Sequence, residues 1–376
     1  MVLAKIRCLQ SATMLERNNS INTKELILDG HKLNWHKDRV DAWLRGERIA
    51  PITIDCALTR RCAYRCVYCY GQLQANDEKR MSKDIIFRFL DDAADIGVKA
   101  ISFVSDGEST CSPYLYDAVL KGRDNGLAMA LGTNGYLLKD ERLEEMLPCL
   151  EYIRFNTSAG EPSRYAEIMG CKEKCFYKVC NTIKKCVKIK REKDLSVTIG
   201  IQMVLMPQFS DTIIPLAELG GELGVDYLVI KHCSDDEAGS LGIDYAKYFD
   251  LVDILKEAEK YSTNDYLVQV KWSKILSGGK RQYPQCYGPP FMMQFSGSGL
   301  VAPCERGISN AGKSPTGRSG NLLSNISVPI AAGPSSISTA KPALHAAREK
   351  LLILNGCSCP HCQLLWNRRL FRQMSC

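Results

Sequence analysis

The chain has 376 residues, 45% hydrophobic and 24% charged, and carries a net charge of +7. That balance excludes a disordered or collagen-like polymer and fits a folded protein with a real core, long enough for one large domain and a smaller one. The N-terminal stretch MVLAKIRCLQSATMLERN lacks the long apolar region of a signal peptide, and no later segment is apolar enough to span a bilayer, so a cytoplasmic protein with no membrane partner is expected.

In chain order, residues 1–50 read as an irregular lead-in with a single helix near His36 to Arg45. Strand-like runs follow at Ile52–Ala57, Ala100–Val104, Ala128–Leu131, Tyr152–Asn156, Val197–Val204 and Tyr227–Ile230, with helical patterns between them. The clearest helix follows Ser82, an N-cap residue, with Ile85, Ile86, Phe89, Leu90, Ala93 and Ile96 on one face. Gly97 and the pair Asn125-Gly126 stand where helices should stop. Alternating units with apolar strands argue for a parallel sheet. Six units are too few to close an eight-unit barrel, so the expected fold class is α/β, a partial (β/α)6 TIM-like barrel, with ligand residues at the C-terminal ends of its strands. The positive charge is concentrated over 172–193, a lysine-rich helical stretch read as a solvated basic face, and no nucleic-acid motif accompanies it. From Arg306 to Cys376 the only acidic residue is Glu349, against nine Lys or Arg, and the Ser-, Gly- and Pro-rich composition there reads as a long linker or poorly ordered segment.

Eighteen cysteines need a role. In a reducing compartment they are metal ligands, catalytic thiols or small core residues rather than a disulfide framework. Three of them, Cys62, Cys66 and Cys69, fall in TRRCAYRCVYCYG directly after the first strand, with C-x3-C-x2-C spacing and Tyr68 before the last. Such a loop can place three thiolates on three corners of an iron–sulfur cubane and leave the fourth iron open to a small molecule. A zinc site would instead close with a fourth Cys or His; the nearest candidate, Cys56, lies inside the strand and reads as core. Scattered core thiols are a poor account of three cysteines flanked by Arg60, Arg61 and Arg65.

In this context the motif resembles the radical S-adenosylmethionine (SAM) superfamily over about residues 50–260. The resemblance implies a [4Fe–4S] cluster held by Cys62, Cys66 and Cys69, SAM on the open iron, a 5′-deoxyadenosyl radical that takes hydrogen from a substrate C–H bond, and an electron donor such as flavodoxin or ferredoxin. It carries Tyr68 and the residues at later strand ends over as cofactor-binding. After the second strand, SDGEST keeps Gly107 and Glu108 of the family's Gly-Gly-Glu but has Asp106 in place of the first glycine; Glu108 offers a charged acceptor to the ligand's ammonium. GTNG supplies Asn134 after the third strand, Ser158 follows the fourth, and Gln202 is a polar residue within the apolar fifth strand that needs a partner.

The sixth strand ends VIKHCSDDE. Cys233 there resembles the hydrogen-atom donor of radical epimerases, with Lys231 or His232 as alternative base or carboxylate anchor and Asp235 and Asp236 as turn residues. Cys286 and Cys304, spaced C-x12-G-x4-C around a Gly297-Ser298-Gly299 turn, resemble the hairpin that opens a SPASM or twitch extension holding an auxiliary [4Fe–4S] cluster. Cys357, Cys359 and Cys362 are downstream ligand candidates, although their C-x-C-x2-C order departs from the family pattern. Cys171, Cys175, Cys180 and Cys186 have spacings that do not converge and read as structural.

The expected organisation is a lead-in over 1–50, a radical SAM core over 51–265 and a small C-terminal auxiliary iron–sulfur extension over 266–376. The expected activity is epimerisation, oxidation or cross-linking of a peptide or small, sugar-like molecule. The alternative is a non-catalytic zinc or iron–sulfur scaffold.

Overall fold

The computed structural model describes residues 31–69, 80–104, 106–236, 239–280, 288–299 and 301–302. A 3-10 turn at His31–His36 runs into helix α1 (Lys37–Leu44). Alternation then begins: β1 (Thr53–Cys56), α2 (Lys83–Asp95), β2 (Ala100–Phe103), α3 (Leu115–Asp124), β3 (Ala128–Thr133), the short α4 (Leu143–Met146) and β4 (Leu150–Asn156). Helices α5 (Pro162–Met169) and α6 (Glu173–Glu192) lead to β5 (Thr198–Leu205), α7 (Ile213–Leu223), β6 (Tyr227–His232), α8 (Val252–Glu259), β7 (Leu267–Val270) and α9 (Trp272–Ile275). A hairpin of β8 (Met292–Phe295) and β9 (Val301–Ala302) follows.

The nine strands among the described residues form one sheet in the order β7-β6-β5-β4-β3-β2-β1-β8-β9. Every pairing from β7 to β8 is parallel and only β8–β9 is antiparallel. Among the described residues the sheet therefore has eight parallel strands whose two ends do not pair with each other: it is the partial barrel the sequence predicts, widened by a strand at each end. Strand β8 returns from far along the chain to lie beside β1, with Thr53 opposite Met292 and Cys56 opposite Phe295.

The local signals hold. The Ser82 hydroxyl accepts from the Ile85 N–H at the start of α2, whose Ile86, Phe89, Leu90 and Ala93 are buried. Helices α2 and α3 end at Gly97 (φ +89°) and Gly126 (φ +77°). Along each strand alternate side chains point to opposite faces. One set, including Ile153 and Phe155 of β4, Ile199, Ile201, Met203 and Leu205 of β5 and Leu228 and Ile230 of β6, packs with the helices in the main core. Each such side chain contributes about 1.5–3 kcal/mol by leaving water. The other set faces the barrel interior and is polar to an unusual degree: Asp55, Ser102, Tyr152, Arg154, Asn156, Gln202 and Lys231. No helix among the described residues is long and apolar enough to cross a membrane.

Candidate active site

The three-cysteine loop leaves the C-terminal end of β1 and is hung on neighbouring backbone. Arg65 N–H donates to the Met169 carbonyl at 3.3 Å and Val67 N–H to that of Ile168 at 3.0 Å, so the last turn of α5 carries the loop. The chain turns there at Gly170 (φ +58°), where a Cβ would lie 2.1 Å from the Arg65 carbonyl oxygen; only glycine allows both the left-handed conformation and the approach. On the other side Glu108 N–H donates to the Arg61 carbonyl at 2.8 Å, and Gly107 (φ +82°) abuts Thr59 and Arg60 so closely that a Cβ would sit 2.1 Å from the Thr59 oxygen.

Cys62, Cys66 and Cys69 are each partly exposed and none is disulfide-bonded. Within the loop Cys69 N–H donates to the Cys66 carbonyl and Tyr64 N–H points at the Cys62 sulfur, 3.5 Å away. Burial pushes the Cys62 thiol up to about 12 and the Cys66 thiol well above its ordinary range, so these sulfurs ionise only against a positive centre. Among the described residues no three His, Cys, Asp or Glu side chains converge as a single-ion site does. Three thiols from one loop fit three corners of a [4Fe–4S] cluster, with one iron left for SAM.

Of the residues the sequence assigns to SAM, Glu108 and Asn134 stand beside this loop. Glu108 is buried, its Oε1 accepting from Thr110 N–H (3.1 Å), Thr110 Oγ1 (2.9 Å) and Thr133 Oγ1 (2.6 Å) and its Oε2 from Asn134 N–H (2.7 Å). The carboxylate thus ties the β2 and β3 loops together and keeps acceptor capacity on Oε2. Asn134 turns its Nδ2 toward the Cys62 sulfur at 4.0 Å and accepts from Tyr136 N–H at 3.0 Å. The Tyr68 hydroxyl donates to the Met169 sulfur at 3.2 Å. Ser158 is buried, its hydroxyl accepting from Val204 N–H at 3.2 Å, so it joins β4 to β5 at their C-terminal ends. Gln202 has the partner its burial demands, donating to Asn156 Oδ1 at 3.1 Å. Asp106, the departure from Gly-Gly-Glu, accepts from Gly297 N–H at 3.2 Å and lies 3.4 Å from Arg60 Nε, so it braces the first loop against the β8–β9 turn.

Cys233 is 1% exposed, and its sulfur lies 3.8 Å from the Tyr68 carbonyl oxygen, which brings it to the three-cysteine loop. Burial pushes its thiol up to about 12, so it stays S–H. Its N–H reaches the Leu205 carbonyl and the Tyr248 hydroxyl. Asp235 accepts from Asp236, Leu241 and Ile243 N–H groups, as a turn-forming residue does. Cys171 and Cys175 pack where α5 turns into α6, in an apolar cluster with Tyr64, Met169, Cys62, Cys66 and Tyr68, a structural setting. Cys286, Cys304, Cys357, Cys359 and Cys362 lie outside the described residues.

His232 is buried between the rings of Tyr245 (5.4 Å) and Tyr248 (5.6 Å), with Nδ1 2.7 Å from the Cys233 carbonyl. Burial pushes its imidazole down to about 4, and the Lys274 and Lys231 cations push the same way. The folded state therefore holds it neutral, while the unfolded chain protonates near pH 6.5. The stability this confers is fully present above pH 6.5 and is lost as pH falls toward about 4, by up to roughly 3 kcal/mol. Urea unfolding of the apoprotein at pH 7.5, 6 and 5 is expected to show that decline, and His232→Asn to flatten it.

Residues 57–219 match the family model of the radical SAM superfamily. A tungsten-containing aldehyde ferredoxin oxidoreductase cofactor-modifying protein of Pyrococcus furiosus is 26% identical over 222 residues, 58% of this chain and 62% of that protein, so the chain spans under two thirds of its length. An AdoMet-dependent heme synthase of Methanosarcina barkeri is 35% identical over 98 residues, 26% of this chain and 28% of that protein. Among solved structures, Streptococcus suis SuiB bound to S-adenosylmethionine shares the fold, with a TM-score of 0.57 at 16% identity, covering 91% of this chain and 78% of that one. Residues 57–219, with the three-cysteine loop near their start, are thus similar to the radical SAM superfamily, whose cofactors are a [4Fe–4S] cluster and SAM.

Proposed function

We propose that the protein is an enzyme that cleaves SAM reductively and takes a hydrogen atom from a C–H bond of a substrate held in the barrel. The observation that supports this reading is that the three-cysteine loop after β1 is tied to Glu108 after β2 and to Asn134 after β3, with Ser158 after β4 bonded to Val204 of β5. When bound, the cluster and SAM supply a 5′-deoxyadenosyl radical. The chain's own part is to hold and orient. Cys62, Cys66 and Cys69 ligate three irons, Glu108 offers Oε2 to the SAM ammonium, and Tyr68, Gly107, Asn134, Ser158 and Gln202 line the remainder of the SAM site, with Asp106 bracing it.

Cys233 is the proposed hydrogen-atom donor: its S–H bond breaks, a C–H bond forms on the substrate radical, and the thiyl left behind takes one electron from the reductant and a proton from solvent. A peptide is the favoured substrate class, supported by the like-folded SuiB, which has been crystallised with its precursor peptide SuiA. The reductant is read as an acidic one-electron donor protein. Arg65, Lys172 and Lys174 are exposed beside the loop and make no ion pair among the described residues, with Glu173 the carboxylate between the two lysines. Cys286 and Cys304 remain proposed ligands of an auxiliary cluster, with Cys357, Cys359 and Cys362, and the division at about residues 50 and 265 remains a proposal. A zinc scaffold is the second reading, and among the described residues no three such ligands converge on a single ion.

The test is anaerobic reconstitution with iron and sulfide, reduction with dithionite, and assay for 5′-deoxyadenosine. Its formation is expected; a colourless protein that binds zinc and yields none overturns the reading. Once a substrate is in hand, Cys233→Ala is expected to keep 5′-deoxyadenosine formation and lose the product that needs hydrogen return.

A further inference from the structure

Arg154 sits in the middle of β4 on the barrel side, since Ile153 and Phe155 on either side of it point into the helix-facing core. Strand register puts Gly132, Arg154, Gly200 and Tyr227 in one row across β3, β4, β5 and β6. The two glycines make room for the two large side chains. A Cβ on Gly132 would lie 3.4 Å from Arg154 Nη2, and one on Gly200 would lie 2.1 Å from the Tyr227 ring. The next row toward the mouth carries Asn156 and Gln202, bonded to each other; the row on the other side carries Tyr152, whose hydroxyl is 3.1 Å from Ser102 Oγ. Asn156 and Gln202, and Tyr152 and Ser102, thus bond one another in pairs, and Asp55 shares the Tyr152 row.

Arg154 does not. Its Nε is buried without a hydrogen-bond partner, and among the described residues the guanidinium makes no hydrogen bond or ion pair. Shielding a guanidinium donor from water with no acceptor is unfavourable, and such a group is normally matched by a carboxylate. No acidic side chain shares its row. The row lies four residues, or about 13 Å, below the Val204–Lys231 row at the mouth. That is far from the loop that carries the cysteines, and within reach of a ligand that enters the barrel.

We infer that Arg154 anchors a carboxylate of the substrate on the barrel floor, which turns the rest of the molecule toward the three-cysteine loop. A lone guanidinium in its row balances one negative charge, which selects a carboxylate over a phosphate dianion, and its fork matches the two oxygens. The inference rests on the proposed function, in which the barrel is the substrate chamber.

The probes are benzoate and its uncharged isostere benzamide. The reconstituted full-length protein is treated with phenylglyoxal, and modification of Arg154 is followed by peptide mass mapping. With benzoate at about four times its Kd, mass action gives about fivefold protection. Benzamide is expected to give none. By calorimetry, Arg154→Gln is expected to weaken benzoate about tenfold and Arg154→Lys to recover part of that. Equal protection by benzoate and benzamide, protection by SAM alone, or an Arg154 that phenylglyoxal never reaches would overturn the assignment. The wild-type labelling needs no variant to fold. Formation of 5′-deoxyadenosine, measured in parallel, reports on the radical reading separately.

Discussion

Replacing Cys62, Cys66 or Cys69 by alanine is expected to remove the brown colour of the reconstituted protein and to cut 5′-deoxyadenosine formation by at least about a thousandfold, well beyond the roughly 10- to 100-fold that follows loss of a residue merely bonded to a metal ligand. The argument is geometric. All three thiols come from one eight-residue span, and that span is held by backbone bonds from Arg65 and Val67 to α5 and from Glu108 to Arg61. None of those bonds uses a cysteine side chain, so each variant keeps its loop. The thiols are partly exposed and leave only small gaps when truncated. The apoprotein's thermal unfolding should therefore move little while visible absorbance and turnover collapse together. A variant that stays brown and active would remove that cysteine from the ligand set.

The second large effect is expected at Glu108. Its carboxylate accepts four hydrogen bonds from Thr110, Thr133 and Asn134 and is 5% exposed. Glu108→Ala leaves those donors facing an apolar gap, at a cost of about 3 kcal/mol or more. In a protein of this size that corresponds to a fall of about 4 °C in Tm. Glu108→Gln is the sharper variant. It keeps the volume but turns one acceptor oxygen into a donor that meets either the Asn134 N–H or the threonine hydroxyls. SAM binding should weaken in both, because the β2 and β3 loops lose their shared tie. Differential scanning calorimetry of the apoprotein and equilibrium binding of SAM to the reconstituted protein check the two halves. Unchanged Tm in Glu108→Ala would mean that the carboxylate is not the knot between the loops.

The effects differ in kind. The cysteine variants remove ligands and spare the scaffold, whereas the Glu108 variants loosen the scaffold and reach the ligand through it. Asp106 belongs with the second group, since it joins the first loop to Gly297 of the β8–β9 turn.

What the sequence alone determined was local. Six strands and the α2 helix were readable because burial on one face imposes a period of two or 3.6 on the residues themselves, and because Ser82, Gly97 and Gly126 end elements by their own backbone chemistry. The C-x3-C-x2-C loop was readable for the same reason: its three thiols are neighbours in the chain, and their position after β1 follows from the first strand. The last three strands were not. Leu267–Val270 and Met292–Phe295 are four residues each, and the latter has no β-branched residue; what makes it a strand is the open edge of β1, more than two hundred residues away in the chain. Only the tertiary structure decided that Cys171, Cys175 and Cys233 come to the three-cysteine loop. It alone decided that Asp106 serves a turn near residue 297 and that Gln202 finds Asn156. It also left Arg154 in a row of glycines and tyrosine with no carboxylate. Whether a buried polar group has a partner is set by the register of strands that meet only after folding, and periodicity along one strand does not carry that information.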